Sequence, residues 1–392
     1  MRGFDRRAEI LWLNRSHRSG YRYVMSTQGD LLHTVTSDNI SPQRIRAGRM
    51  MVWVAGLGFL AIAAWQALYT FDRVSWGFDT WRPVLFAYLV WATALCGAQV
   101  IVRGEEGKRT LFILPAVLFV VSLVVFPLLF GLYISFTDWN LASQDGMKPN
   151  GLNNLRQMWN DAFFWNALKN MVYYVLAVFV EYAIAFGLAL LLNAQIRARK
   201  FFRVVFLLPL MLSPVAVSWM IGKSMMEIRF GPLARLAREL GWDRPSFFGT
   251  PEMARFMIMA MDAWTFIPFM MIMLLAGLQA LPKEVIEASK VDGATPWQSF
   301  WEVIFPLMLP VSVTAIVIRI IFKLKLADII INVTSGGPGG ATDSVTSFIF
   351  REYRDRSNVG YGTLLAMVYL VLIVIFITVL LKFVSRFMER PQ

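Results

Sequence analysis

Residues 282–306, PKEVIEASKVDGATPWQSFWEVIFP, interrupt two long apolar runs with a polar segment whose local chemistry predicts a helix, a turn and a second helix. Pro282 suits a first helical position, Glu284 and Glu287 favour the positive start of a helix, and Gly293 supplies the left-handed conformation that ends one. Thr295 with Gln298 three residues on is a capping box, and Pro296 fits the first turn of the second helix. Trp297, Phe300, Trp301 and Ile304 then share one apolar stripe at helical spacing. So much apolar surface in an aqueous loop implies a partner that covers it. The plainer alternative is an amphipathic hairpin resting on a membrane surface.

Outward from this segment the chain is a membrane protein. Hydrophobic residues make up 57% of it, charged residues 16%, and the mean hydropathy is +0.54. Apolar stretches long enough to cross about 30 Å of hydrocarbon fall at 50–71, 83–102, 110–136, 171–192, 204–226, 256–280, 308–330 and 361–384. The expected fold is therefore all-α and polytopic, with about eight transmembrane helices. Pro209, Pro214 and Lys223 interrupt the 204–226 run, and Arg319 and Lys323 the 308–330 run.

Basic residues set the expected orientation. Arg2, Arg6, Arg7, Arg15, Arg18, Arg22, Arg44, Arg46 and Arg49 precede the first span; Arg103, Lys108 and Arg109 follow the second, and Arg197, Arg199, Lys200 and Arg203 the fourth. Lys382, Arg386 and Arg390 lie at the C-terminal end, so both termini and the 282–306 loop are expected in the cytoplasm. Against this rule, the 227–255 loop lies outside although it carries Arg229, Arg235, Arg238 and Arg244. The net charge of +12 is mostly this retention charge, and no zinc-finger or RNP pattern supports nucleic-acid binding. Residues 1–49 read as a cytoplasmic arm rather than a signal peptide, because the first long apolar run begins only at Met50. Cys96 lies inside a span and packs as a small hydrophobe.

The motifs of chemistry are sparse. No G-x-x-x-x-G-K-[ST] occurs, and Gly336-Gly337-Pro338-Gly339-Gly340 lacks the lysine of a phosphate-binding loop. His17 and His33, both in the N-terminal arm, are the only histidines, which argues against an embedded histidine-based enzyme or metal centre.

The run Glu287-Ala288-Ser289, then Gly293, then Val303-Ile304-Phe305-Pro306 resembles the EAA loop of ABC-importer permeases, with Ser289 in place of the second alanine. Asn170, Phe201-Phe202-Arg203, Pro209, Trp264, Pro268 and Leu278-Gln279-Ala280-Leu281-Pro282 extend the resemblance to carbohydrate permeases of the maltose or glycerol-phosphate type. Asp328, Thr334-Ser335-Gly336-Gly337-Pro338, Thr342, Tyr353 and Gly360-Tyr361-Gly362 are similar to the same family's later segment. Two aromatics that the family carries before the aspartate are Leu324 and Ala327 here. The resemblance implies a type I importer core of six helices at 110–388, preceded by an additional helix pair at 50–109 and the arm at 1–49.

It also implies the partners: a second homologous permease, an ATPase dimer that holds ATP and magnesium, and a periplasmic solute-binding protein, all in a bacterial inner membrane. This chain itself would hold no cofactor. Glu287, Ala288, Gly293, Trp297, Phe300, Trp301 and Pro306 would couple to the ATPase, and a cysteine at Ser299 would crosslink to it. From another class, an ion-coupled secondary transporter would use intramembrane charges to carry protons or sodium. A membrane scaffold would not need such charges.

The candidate solute pathway comprises Glu181, Tyr182, Trp219, Trp264, Arg319, Lys323 and Asp328. Tyr182, Trp219 and Trp264 offer ring faces for sugars, though aromatics in spans more often face lipid or its interface. Glu181 and Arg319, at the middles of their spans, cannot face lipid. They form either a structural ion pair or a cavity wall in which Arg319 and Lys323 fork onto an anionic or hydroxyl-rich solute. Lys223 and Asp262 are expected to pair near the outer mouth, either as a gate or as a solvated pair at headgroup level.

Overall fold

The protein is described by a computed structural model covering residues 41–388 except 71, 72, 145 and 196. The arm at 1–40, with His17 and His33, and Arg390 lie outside the described residues. The described residues are helical, with two isolated bridges and no strand among them. They form two units, one through Leu128 and one from Leu129 onward.

The first unit is built from α1 (Pro42–Thr70) and α2 (Arg82–Val120). Phe59, Tyr88 and Trp91 pack their rings together between the two helices, and Cys96 is half-buried. Buried Gln66 holds the α1–α2 connection by exchanging two hydrogen bonds with the backbone of Phe78 (2.9 and 3.2 Å). Although the backbone is helical throughout α2, the Tyr88 hydroxyl donates to the Leu118 carbonyl at 2.5 Å. A straight helix would separate those residues by about 45 Å. The chain therefore folds back between them, with the polar run that starts at 103 at the midpoint.

A short π stretch leads into α3 (Phe126–Ile134), which continues the third apolar run. After a loop come α4 (Asn153–Asn160) and α5 (Ala162–Asn193). Asp161 caps α5 by accepting from the Phe163 N–H at 2.9 Å. The buried residues Ala167, Met171, Tyr174, Val178, Glu181, Ala185, Ala189 and Leu192 recur at intervals of three and four, forming one stripe along α5. Its alanines allow close helix approach.

The 204–226 run is not a straight span. It comprises α6 (Arg199–Met211), α7 (Pro214–Val217) and a π stretch to Met225, bent by 95° at the break. The cause is local: Ser213 precedes a proline, which pushes it to extended backbone (φ −67°, ψ 147°), and its hydroxyl then caps α7. Next come the short helix α8 (Pro232–Glu239) and the long α9 (Pro251–Ala280), capped by Thr250.

α10 (Lys283–Val291) and α11 (Pro296–Gln298) form the loop read from the sequence, and a π stretch joins α11 to α12 (Phe305–Leu324). The expected 308–330 span thus ends at Leu324, and a separate α13 (Asp328–Val333) follows. α14 (Val345–Arg354) and α15 (Val359–Met388) complete the unit. Among the described residues, seven helical segments are long and apolar enough to cross a membrane, or eight with the bent pair counted as one span. α5 and α9 pack along their length and α12 crosses both, burying Ile258, Met270, Leu274, Met308 and Ile320 with the α5 stripe.

Candidate functional site

The elbow of the 282–306 loop follows its sequence closely. Pro282 caps α10 rather than opening it, and Asp292 closes it. Gly293 sits at φ +81°, with its N–H donating to the Lys290 carbonyl at 3.1 Å. The capping box is present: the Thr295 hydroxyl accepts from Gln298 N–H at 3.3 Å, and the Gln298 side chain accepts from Thr295 N–H at 2.9 Å. The departure at Ser289 also has a partner. Its hydroxyl lies 3.0 Å from that of Ser299, both buried, bridging the two arms across the elbow.

The apolar stripe divides in two. Phe300 packs edge-to-face on Phe186 of α5 with centroids 5.6 Å apart, and Ile304 joins the same core. Trp297 is 71% exposed, and Trp301, stacked edge-on against it, 45%. Val291, at the elbow, is 87% exposed. Glu287 and Ala288 face outward and Pro306 is half-buried. The most exposed large apolar side chains of the loop are thus Val291, Trp297 and Trp301. Ser299 faces inward, which corrects the expectation that a cysteine there would reach a partner.

In the bundle interior the structure assembles four charges from three helices. Arg319 Nε donates to Glu181 Oε2 at 2.7 Å, and Nη2 to Asp262 Oδ2. One turn along α12, Lys323 Nζ donates to Glu181 Oε1 at 2.7 Å and to Asp262 Oδ2. All four side chains are at most 2% exposed. The face of Phe266 lies 4.4 Å from the Arg319 guanidinium, and Arg319 Nη1 has no hydrogen-bond partner. Two acids and two bases sum to zero, the condition under which such burial is tolerated.

Asp262 is the member the sequence reading misplaced. It pairs with Arg319 and Lys323, while Lys223 is exposed on the π stretch after α7, so the expected Lys223–Asp262 pair does not form. The missed signal was charge balance: Glu181 alone cannot neutralise Arg319 and Lys323, and Asp262 is the remaining buried acid of α9. Lys323, in the last turn of α12, also lies closer to a helix end than the expected span implied.

The remaining pathway candidates stand apart from the quartet. The Tyr182 hydroxyl donates to Ser312 Oγ at 2.8 Å, tying α5 to α12. Trp219 and Trp264 are 60% and 40% exposed. Exposed Asp328 opens α13, its carbonyl accepting from Asn332 Nδ2 at 2.7 Å.

A polar clasp at the opposite end of the unit from the elbow was not foreseen. Asn166 and Asn170 of α5 donate to the carbonyls of Gly340 (2.7 Å) and Asp343 (3.0 Å), and Tyr174 to that of Thr342 (2.7 Å). Asp343, 1% exposed, pairs with Arg351 and accepts from Ser347 Oγ at 3.0 Å. Burial raises its carboxyl to about 6 although Arg351 opposes the shift.

An elbow loop continuous with a bundle of apolar spans, around a buried charge cluster, defines the membrane-embedded subunit of a transport system. Residues 181–390 match the family described as "Binding-protein-dependent transport system inner membrane component", and the chain belongs to that family. It is 32% identical over 280 residues to the trehalose/maltose transport system permease protein MalF of Thermococcus litoralis, covering 71% of this chain and 93% of that one. Identity is 30% over 270 residues to the sulfoquinovosyl glycerol transport system permease protein SmoG of Agrobacterium fabrum (68% and 86% covered). The fold is shared with a chain in the crystal structure of a bacterial alginate ABC transporter in complex with an alginate pentasaccharide-bound periplasmic protein. The TM-score is 0.60 at 20% identity, over 80% of this chain and 98% of that one.

Proposed function

We propose that this chain forms one half of the translocation pathway of an ATP-driven importer for a carbohydrate or carbohydrate derivative. A second permease would complete the pathway, an ATPase dimer holding ATP and magnesium would drive it, and a periplasmic binding protein would deliver the solute. The chain itself would hold no cofactor, and both its ends would face the cytoplasm, as the basic residues indicate. The observation that carries the reading is the elbow. α11 runs without a break into α12, so force applied at Trp297 and Trp301 passes directly into a core span.

The solute class follows from relatives named for trehalose, maltose and sulfoquinovosyl glycerol. Exposed Trp219, with Lys223 four residues further on, and Trp264 supply ring faces and a cation suited to a sugar or an acidic sugar derivative. Arg319 and Lys323 are each paired with both Glu181 and Asp262. They would meet a solute only in a state that separates the quartet.

The test is uptake by vesicles that hold the chain co-expressed with a second permease, an ATPase and a binding protein of the proposed importer. Uptake that follows ATP and survives an uncoupler is expected. Collapse under the uncoupler while ATP persists would identify an ion-coupled secondary transporter instead.

A further inference from the structure

We propose that the Ser289–Ser299 hydroxyl bridge braces the elbow into a rigid lever, so that α9 and α12 receive the same motion from the loop between them. Its consequence for transport rests on the importer reading; the brace itself rests on geometry. Gly293 alone makes a poor lever. No atom lies within 4 Å of a Cβ added there, and glycine moves between backbone conformations at little cost. The backbone bonds of the turn, from Gly293 to Lys290 and from Ala294 to Ser289, end on the α10 side. Among the described residues, the hydroxyl contact is the hydrogen bond that joins α10 to the arm continuing into α12. Burial singles out the same two residues. Of the nine residues of α10 Ser289 is the buried one, and Ser299 is the buried one of the π stretch.

The bridge also has a direction. Ser289 Oγ donates its single proton to the Ile286 carbonyl at 2.9 Å, so Ser299 donates to Ser289 across the 3.0 Å between their oxygens. Ser289 is thereby tied to its own helix and presents a fixed acceptor to the other arm. At 8% and 6% exposure the two serines meet little competition from water. α10 begins at Lys283, just after α9 ends at Ala280, and α11 runs through the π stretch into α12. A braced elbow therefore passes a push on the loop to both helices, and those two helices carry Asp262, Arg319 and Lys323. An unbraced elbow passes it to one arm while Gly293 absorbs the rest.

The test measures the elbow directly in the complex purified with its partner subunits. In a Cys96→Ser background, nitroxides on cysteines replacing exposed Glu284 of α10 and exposed Glu302 of the second arm report the distance across the elbow by double electron–electron resonance. With both serines in place, one narrow distance should persist through the nucleotide-free, ATP-bound and vanadate-trapped states. Ser289→Ala and Ser299→Ala should each broaden it and, in unlabelled complex, lose solute-stimulated ATPase activity. The double alanine should add nothing, because both changes remove one bond. Unlabelled Ser289→Cys/Ser299→Cys in the same background offers a covalent brace, since the two side chains already touch. Reduced, it should behave as the alanine variants; oxidised, with both thiols consumed, it should regain stimulation. A distance that changes between nucleotide states in the serine-bearing complex overturns the brace. Alanine variants that keep the narrow distance and full stimulation do the same, as does loss of activity on oxidation, because the elbow then works by bending. A wild-type complex without solute-stimulated hydrolysis would count against the importer reading instead, and the distance across the elbow would still decide the brace.

Discussion

The elbow loop and the charge quartet lie in the same unit and differ in where their information is stored. The elbow is specified by consecutive residues: a glycine at φ +81°, a Thr-Pro-x-Gln capping box and a proline-led restart. The quartet's members come from α5, α9 and α12, up to 142 residues apart, and each is unfavourable until the other helices arrive. Short-range chemistry therefore builds the exposed elbow, and long-range charge matching locks the core to which it is joined. Damage to the first should spare folding and abolish coupling. Damage to the second should impair assembly itself.

The largest expected effect tests the quartet. Arg319→Met leaves Glu181 and Asp262 with Lys323 alone, a buried net negative charge, and removal of one member of a buried ion cluster costs about 3–5 kcal/mol. Yield of assembled complex should collapse. Arg319→Met combined with Glu181→Gln restores neutrality through Asp262–Lys323 and should recover much of that yield. If Arg319→Met instead assembles fully and loses only transport, the quartet is a solute wall rather than a lock. Full yield together with full transport would falsify both roles.

Gly293 tests the elbow from the other side. No atom lies within 4 Å of a Cβ added there, so a substitution meets backbone strain rather than a clash. A non-glycine residue held left-handed costs about 1–2 kcal/mol, small against the stability of a membrane domain. Gly293→Pro, which cannot adopt this φ and loses the N–H bond to Lys290, should insert at normal levels and abolish solute-stimulated ATPase activity. Normal uptake by a fully inserted Gly293→Pro would end the coupling role.

Crosslinking maps the same surface more finely. Single cysteines replacing Trp297 or Val291 should bridge to a cysteine on the ATPase, whereas Ser299→Cys, buried against Ser289, should not. Efficient crosslinking at Ser299 with none at Trp297 would mean that the loop rotates on docking.

What was legible in the sequence follows the same division. The capping box, the glycine turn and the all-helical membrane class were readable because each rests on neighbours in the chain or on summed hydropathy. Asp262 was misassigned to Lys223 because span position alone cannot say which face of α9 turns toward α12. Phe300 and Trp301 read alike in the stripe, and only the approach of Phe186 separates an anchored ring from a half-open one. The broken 204–226 span was signalled by Pro209 and Pro214, but the direction of a 95° bend depends on what the second arm packs against.

The smallest expected effect concerns the polar clasp, which combines both kinds of information: Ser347 lies four residues from Asp343, while Asn170 and Tyr174 reach its loop from α5. Because burial lifts the Asp343 carboxyl from its ordinary 3.8 to about 6, the folded loop favours the protonated acid. The stabilisation linked to that proton is complete below about pH 4 and is lost as pH rises through about 6. Amide exchange in residues 334–344, corrected for intrinsic rate, should therefore show more protection at pH 5 than at pH 7.5. The limit is about tenfold per pH unit, that of a single proton. Asp343→Asn keeps the shape and removes the titration, so its protection should be flat across that range. Greater protection of the wild-type loop at pH 7.5 than at pH 5 would show that the Arg351 pair outweighs burial, placing the clasp with the quartet as a charge-matched lock.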